Sequence, residues 1–444
     1  MNQSIVFFKA IECVRNTPIP EEVMIRARQS LLDYLAVTCA GVKFQKEKME
    51  RYWNFAWPEE GVFKVIGTGK NLVLKEAVFL NGLNSHALDF DDGTNSGIIH
   101  LGSPIFSLLL PLAQRYGISV EEMLKFAILG YEVSYTIAVS IQPKHKAMGY
   151  HATGTCGTLG ATLAAAYMLG FNEEERYQSF AAACVAASGI LKVLDDGSEL
   201  KPYNVAKTSL LSLTALQLAK AGFKGHEDPL GGRGFFKMMT GKETVKLKPV
   251  FLDDTYAIMK SYTKPYASCR YTHPAVEAAI KMKQYVKPEE VESIHIRTYD
   301  LAVCGHDCTE ISGSYSAKMS IPYAVAAGLL YGKAGLQEFE EEVVKGREIQ
   351  RLTKKVKVDA DKELSIAFPD IQSAVVTVRT AKEEYTERID IPKGEPENPL
   401  TEEEFRIRYD GLMEYAGVNT TISSAVFSVV GQKNAKVEDI IKGL

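Results

Sequence analysis

Residues 155–169 read "TCGTLGATLAAAYML", an uncharged run of small and apolar residues. Gly157, Gly160, Ala161, Ala164 and Ala165 fall at spacings that put small side chains where neighbouring helix backbones can approach closely. The stretch therefore predicts a helix buried at the centre of a helical domain. Gly170 is its expected stop, and Asn172, ahead of Glu173, Glu174 and Glu175, is the expected start of the next helix.

Working outward, the helical pattern covers residues from about 20 to 250. "EEVMIRARQSLLDYLAVTCAG" (21–41) repeats apolar residues at Val23, Ala27, Leu31 and Leu35 and is expected to end at Gly41. Near residue 255 the texture changes. "VESIHIRTY" (291–299), "SAVVTVRT" (373–380) and, more weakly, "YTERIDI" (385–391) alternate apolar and polar residues with strand period. "SIPYAVAAGLLYG" (320–332) reads as a helix among them. The Pro-rich turn "IPKGEPENPL" (391–400) precedes Thr401 and Glu404, a capping-box pattern that opens a last helical segment. Helical sequence over 1–258 and 396–444 thus brackets an α+β stretch over 259–395, giving a mainly α chain.

The 444 residues, 46% of them apolar, suit two or three domains. A net charge of -4 provides no global positive field for nucleic acid or an acidic membrane surface, so a bound anion must meet a local cationic pocket. Cys13, Cys39, Cys156, Cys184, Cys269, Cys304 and Cys308 are odd in number and scattered, unlike a disulfide framework. The opening "MNQSIVFFKAIECVRN" has Lys9 and Glu12 inside its apolar part and no cleavage-site pattern. We expect no signal peptide, no membrane span and a reducing cytoplasm.

The chemistry-bearing residues begin in "NSHALDFDDGTNSGIIHLGSP" (84–104). His86 and Asp89 could share a helix face as metal ligands, but no second His/Glu cluster or HExxH pattern supports them. Cys304 and Cys308 in "CGHDC" lack a partner pair, so no metal is expected. An acid/base reading fits better. His100 lies in a loop held off helix by glycine and proline, and His151 stands just before the small-residue helix, beside amides that favour anions. Lys201 and Lys264 each precede a proline that disfavours helix at the preceding residue, which presents rigid ammonium groups suited to carboxylates. Tyr323, among apolar neighbours, needs a hydroxyl partner if buried. Together these suggest a pocket for a small polycarboxylate. The chain has no GxGxxG after a strand, no P-loop and no GxSxG. "GGRGFF" (231–236) lacks the strand and helix context of a phosphate loop and reads as a turn.

In this order "HALDFDD" (86–92), "GYHATGTCGTLGA" (149–161), "ELKPYNVAKTS" (199–209), "GGRGFF", "KPYASCRYTHPAVEA" (264–278) and "GEPENPL" (394–400) resemble the MmgE/PrpD family over nearly the whole chain. The resemblance implies an all-helical domain built from both chain ends, an inserted α+β lid, and an active site between them. It also implies a homodimer and chemistry without metal or organic cofactor. Carried over by position, pocket residues fall on Asp89, His100, His151, Lys201, Lys264 and Tyr323. Asn204 stands where many members have histidine, and Lys207 where arginine is common.

The family reactions share removal of a proton or carbon dioxide next to a carboxylate, which leaves an enolate-like anion that lysines can stabilise. On this reading His151 is the base, His100 the complementary acid, Tyr323 assists, Asp89 orients its neighbours, and Lys201 and Lys264 bind carboxylates. Dehydration (2-methylcitrate dehydratase-like) or epimerisation (iminodisuccinate epimerase-like) of a small di- or tricarboxylate is the expected activity. A decarboxylase of a cis-aconitate-like acid and a catalytically idle anion-binding member of the fold are the alternatives.

Overall fold

A computed structural model describes residues 2–194, 198–248 and 255–444. The chain is about 58% helical. It divides into two compact units, one of Met1–Val193, Leu200–Ser261 and Arg406–Leu444, the other of Leu194–Glu199 and Tyr262–Phe405. The sequence reading had set its changes of texture at 258/259 and 395/396.

In the first unit the stretch that opened the sequence reading forms the helix Ala152–Met168, and every residue of it is buried. It packs against the helices Gly102–Tyr116, Val120–Ile141, Glu173–Ala186 and Lys201–Lys220. The small residues are what permit this. A Cβ at Gly160 would stand 1.8 Å from Ser134 Oγ and 2.6 Å from the Gly130 carbonyl oxygen. The buried threonines satisfy their hydroxyls one turn back, Thr158 on the Gly154 carbonyl at 2.8 Å and Thr162 on the Thr158 carbonyl at 2.7 Å. Gly170 follows with φ +66°, and Asn172 opens the next helix in a capping box with Glu175. The Val120–Ile141 helix is long and apolar enough to cross a membrane, yet 78% of its apolar window is buried inside the protein.

Two expectations need correction here. The helix expected to end at Gly41 runs Glu21–Phe44. Gly41 is an interior contact, because a Cβ there would meet the Asn84 carbonyl oxygen at 2.1 Å. The first unit is also not all-helical: β1 (Glu60–Val65) pairs antiparallel with β2 (Lys70–Leu72). Phe63, Val65 and Leu72 of this hairpin join Met49, Ala77 and Leu80 in one apolar cluster.

The second unit carries a four-stranded sheet in the order β4 (Val356–Ala360), β3 (Val291–Thr298), β5 (Ala374–Thr380), β6 (Glu384–Ile389). β3 pairs parallel with β4 and antiparallel with β5, and β5 pairs antiparallel with β6. Val291, Ile294, Ile296 and Thr298 of β3 are buried while the residues between them are exposed. The helices His273–Met282 and Ile321–Tyr331 pack on each other, and Ser320 caps the latter by accepting from the Tyr323 amide. The capping box at Thr401 and Glu404 is present, with bonds of 2.7 and 3.2 Å. All seven cysteines are free thiols.

Close helix contact at Gly160 leads to a paired test. Gly160→Ala should lower unfolding stability by about 1–3 kcal/mol, since the added methyl overlaps a neighbouring helix. Gly411→Ala, in the helix Glu402–Ala416 with nothing within 4 Å of the new methyl, should raise it by about 0.4–1 kcal/mol. Urea midpoints that moved in the same direction for both variants would contradict this packing.

Candidate active site

The site is assembled in the first unit from turns at helix ends. His86 follows the helix Leu74–Ser85 as its cap residue. Asp89 then adopts φ +51°, a left-handed conformation that costs a non-glycine residue energy and persists only when its surroundings fix it. Those surroundings are on both sides. The Asp89 amide bonds the His86 carbonyl at 3.2 Å, and the Phe90 carbonyl accepts from Arg408 at 2.8 Å. Asp92 next accepts from the Gly102 amide at 2.9 Å and the Tyr131 hydroxyl at 2.5 Å, which fixes where the Gly102–Tyr116 helix begins.

His100 reaches the site from the segment before that helix, closed by the Thr94–Ile99 bridge, and its amide donates to Thr153 Oγ1 at 3.0 Å. Thr153 belongs to the first turn of the Ala152–Met168 helix, whose N-cap is His151. The His151 amide is held by the Gly189 carbonyl at 3.0 Å. Its imidazole makes no capping bond, so it is not used as a structural cap. Lys201 departs from expectation: it is the first residue of the helix Lys201–Lys220, not an extended one. Pro202 falls in the first turn, where a missing N–H leaves no bond unmade.

These segments bring Asp89, His100, His151 and Lys201 into one buried cluster with His86 and Asp91. Lys201 Nζ lies 2.6 Å from Asp89 Oδ1, and His100 Nε2 lies 3.5 Å from the same oxygen. His100 Nδ1 is 3.4 Å from Asp91 Oδ2. Asp91 also binds His86 Nδ1 at 2.8 Å and accepts from Ser103 Oγ at 2.7 Å. The His86 ring centroid is 4.6 Å from that of His100 and 6.3 Å from that of His151. His86 Nε2 and His151 Nδ1 are buried without a hydrogen-bond partner among the described residues.

Burial sets the electrostatics, with neighbouring charges next. The His151 pKa is pushed well below the usual histidine value, first by desolvation and then by Lys201, His86 and His100. His86 is also lowered, because desolvation outweighs the pull of Asp91. Burial alone would raise Asp91, but the imidazoles of His100 and His86 bring it well below the usual carboxylate range. The His86 Nδ1 faces both oxygens of the Asp91 carboxylate, at 2.8 and 2.9 Å. Asp92 is raised by burial, against the stabilising bond from Tyr131.

His86, Asp89, Asp91 and His100 each offer an atom within 4.8 Å of the others, a donor set able to hold a cation. The sequence did not lead us to expect so compact a set. In this arrangement the positive partner of Asp89 is the Lys201 ammonium, and the oxygens of Asp91 face His86 and Ser103.

Lys264 and Tyr323 belong to the second unit, and both are buried there. The Tyr323 hydroxyl donates to the Glu338 carbonyl at 2.7 Å, and its ring packs on Phe339. Within this unit the two last sequence motifs meet. The Thr263 amide bonds the Gly394 carbonyl at 2.9 Å, and Arg270 binds Glu395 through Nε at 2.9 Å and His273 Nδ1 at 2.7 Å.

Sequence reasoning weighed His86 only as a metal ligand and overlooked Asp91, Ser103 and Arg408. The i+2 spacing of Asp89 and Asp91 was a usable signal; Arg408, distant in sequence, offered none.

Imidazoles with depressed pKa values, carboxylates and an ammonium packed together largely out of solvent form a set that can move protons and stabilise anionic charge. Residues 7–248 match the MmgE/PrpD N-terminal domain and residues 266–421 the MmgE/PrpD C-terminal domain. The chain belongs to the MmgE/PrpD family. It is 23% identical over 387 residues to a cis-aconitate decarboxylase of Mus musculus, covering 82% of this chain and 76% of that protein. It is 24% identical over 455 residues to a cis-aconitate decarboxylase of Aspergillus terreus (96% and 90% covered), and 20% identical over 439 residues to that of Homo sapiens (94% and 89%). These relatives are lyases, and the general role of an acid-processing enzyme extends to this chain.

The depressed His151 pKa has a definite sign in stability. Below about pH 6.5 the unfolded chain binds a proton at this histidine that the folded chain does not, so its contribution is full above that pH and is lost as pH falls. The stability of wild type minus His151→Gln should fall by up to about 1.4 kcal/mol per pH unit between pH 6.5 and 5. Urea titrations giving a constant difference over that range would show that His151 is not held neutral.

Proposed function

We propose that this chain is a lyase or isomerase that abstracts a proton next to a carboxylate of a small di- or tricarboxylic acid, giving dehydration or epimerisation. The observation that carries the reading is the buried His151, its pKa held well below the usual value, whose imidazole makes no capping bond, whose Nδ1 has no hydrogen-bond partner among the described residues, and whose ring centroid is 6.3 Å from that of His86. A neutral imidazole has the lone pair a base needs. The Lys201 ammonium supplies positive charge where the enolate-like anion develops, and in a dry site that charge acts with little screening. His100, with one ring nitrogen toward Asp89 and the other toward Asp91, is placed to donate a proton to a departing hydroxyl or to the opposite carbon face. Lys264 is proposed as a second carboxylate-binding cation. The polar handle of Tyr323 is engaged with a backbone carbonyl, which supports a packing role more than the assisting one first assigned to it.

Decarboxylation is the second reading, favoured by the names of the cis-aconitate decarboxylase relatives. It would reach the same type of anion by loss of carbon dioxide instead of a proton.

A panel of small di- and tricarboxylates in heavy water separates these readings. We expect at least one compound to gain deuterium at Cα, with alkene formation marking a dehydratase and inversion marking an epimerase. Carbon dioxide release without prior exchange would move the assignment to a decarboxylase. Binding with neither exchange nor turnover would leave an anion-binding member of the fold. His151→Gln should reduce exchange on the order of 10²–10³ with little effect on substrate affinity, whereas Lys264→Ala should weaken binding and turnover together. We also expect turnover to survive exhaustive chelation; stoichiometric metal whose removal abolishes it would assign the His86, Asp89, Asp91 and His100 set to a cation instead.

A further inference from the structure

The "GGRGFF" motif is not part of the site above. It borders a groove of about 1000 Å³ on the first unit, formed with the helix Glu173–Ala186 and the end of the helix Lys201–Lys220. That volume is at the upper end for small-molecule pockets. The walls are mainly apolar, from Cys184, Val185, Leu218, Phe223, Phe235 and Met238. Val185 is 86% exposed and Phe223 65%, so these side chains face open space instead of filling the core. The loop that shapes one wall depends on glycine: Gly232 has φ +58°, and a Cβ at Gly234 would stand 2.3 Å from the Pro229 carbonyl oxygen.

The lining holds two carboxylates, Asp228 and Glu243, and two cations, Lys224 and Arg233, which do not pair with one another. Asp228 is engaged with the start of the helix Gln3–Arg15, accepting from the Gln3 and Ser4 amides at 2.9 and 3.0 Å and from Ser4 Oγ at 2.7 Å. It also accepts from the Gly231 amide at 3.1 Å. Glu243 lies 3.8 Å from Lys237. Among the described residues Arg233 and Lys224 have no carboxylate partner. His226 accepts the Asp228 amide on Nδ1 at 2.9 Å, which in the neutral ring leaves Nε2 carrying a hydrogen, a third donor in the lining. The groove therefore combines an apolar trough with two cations that no carboxylate among the described residues pairs with and an imidazole N–H.

We propose that this groove binds a medium-chain alkyl monocarboxylate, with the chain against Val185, Leu218, Phe223 and Met238 and the carboxylate met by Arg233. A guanidinium pairs with a carboxylate through two parallel bonds, and each buried methylene adds to affinity by leaving water. The site is separate in sequence from the acid/base cluster and does not depend on the reaction proposed there.

Calorimetric titration with hexanoate, octanoate and decanoate below their micellar concentrations tests the proposal. Affinity should tighten about fourfold per added methylene. Arg233→Glu should weaken decanoate at least tenfold and leave decanol unaffected, and Val185→Asp should remove the dependence on chain length. Both substitutions are at exposed positions, so neither is expected to prevent folding. Affinity independent of chain length would overturn the proposal. So would decanoate binding that survives both substitutions, because the carboxylate would then be held elsewhere, as at Lys201. Absence of decanoate binding together with a two-chain species in sedimentation that Val185→Asp dissociates would also overturn it, by showing that this face meets a second copy of the chain.

Discussion

Arg408 joins parts of the first unit that are far apart in sequence. Its guanidinium, from the helix Glu402–Ala416, binds the buried Asp33 carboxylate of the helix Glu21–Phe44, donates to the Phe90 carbonyl at 2.8 Å and lies 4.4 Å from the centroid of the Phe90 ring. Phe90 sits between the two aspartates that organise the site. The C-terminal segment therefore fixes the turn in which Asp89 is held at positive φ. Burial is costly for both charges: Asp33 is raised to about 6 by desolvation, even with Arg408 opposing the shift. Such pairs contribute little net stability against an apolar replacement, but leaving one partner alone in the interior costs about 3–5 kcal/mol. The pair is better understood as specifying a position than as adding to overall stability.

The same logic governs the cluster it supports. Asp91 binds two imidazoles and a serine hydroxyl, while Asp89 binds the ammonium and faces the second nitrogen of His100. The two carboxylates are thus compensated by different partners, and the pKa of Asp91 is held well below the usual carboxylate range. With the negative charge committed in this way, His151 receives mainly the unfavourable influence of burial and of Lys201, and it stays neutral. A depressed histidine pKa is produced by where the carboxylates are directed as much as by the burial of the ring itself.

How much of this was legible in the sequence depended on whether the deciding contact was local. The Ala152–Met168 helix was readable because its neighbours demand small residues throughout, and that demand is written in consecutive positions. β3, β5 and β6 were readable from their alternation. β4 was missed because the edge strand "VKVDA" has only Val356 buried and pairs through its backbone. The β1–β2 hairpin was hidden in a predominantly helical region by its short, largely exposed strands. Gly41 looked like a helix stop, since sequence cannot show that the Leu74–Ser85 helix crosses there. In the site, His100, His151 and Lys201 were singled out by the glycine, proline and helix-start signals beside them, and Asp89 by the family resemblance. Lys201 as an extended residue was the wrong inference from its proline, which suits the first turn of a helix equally well. Arg408 carried no local signature, because its role exists only once the chain has folded back on itself.

Under the proposed reading, loss of a proton or of carbon dioxide beside a carboxylate leads to one kind of anion, delocalised into that carboxylate, and a nearby ammonium would stabilise it from either entrance. What separates the reactions is the state of the proton carriers beside it. Loss of carbon dioxide needs no base and ends with a proton delivered to carbon, so it is served by a carrier that starts protonated. Dehydration and epimerisation need a carrier that starts empty and a second that starts loaded. His151, its pKa held well below the usual value, has the lone pair that an empty carrier needs, and His100 stands between Asp89 and Asp91. Asp89 and Asp91 both approach His100, whereas the His151 pKa is lowered first by desolvation and next by Lys201. Asp91 reaches His86 at 2.8 Å and His100 at 3.4 Å, so the carboxylates bias two of the three imidazoles and leave the third to burial and to Lys201.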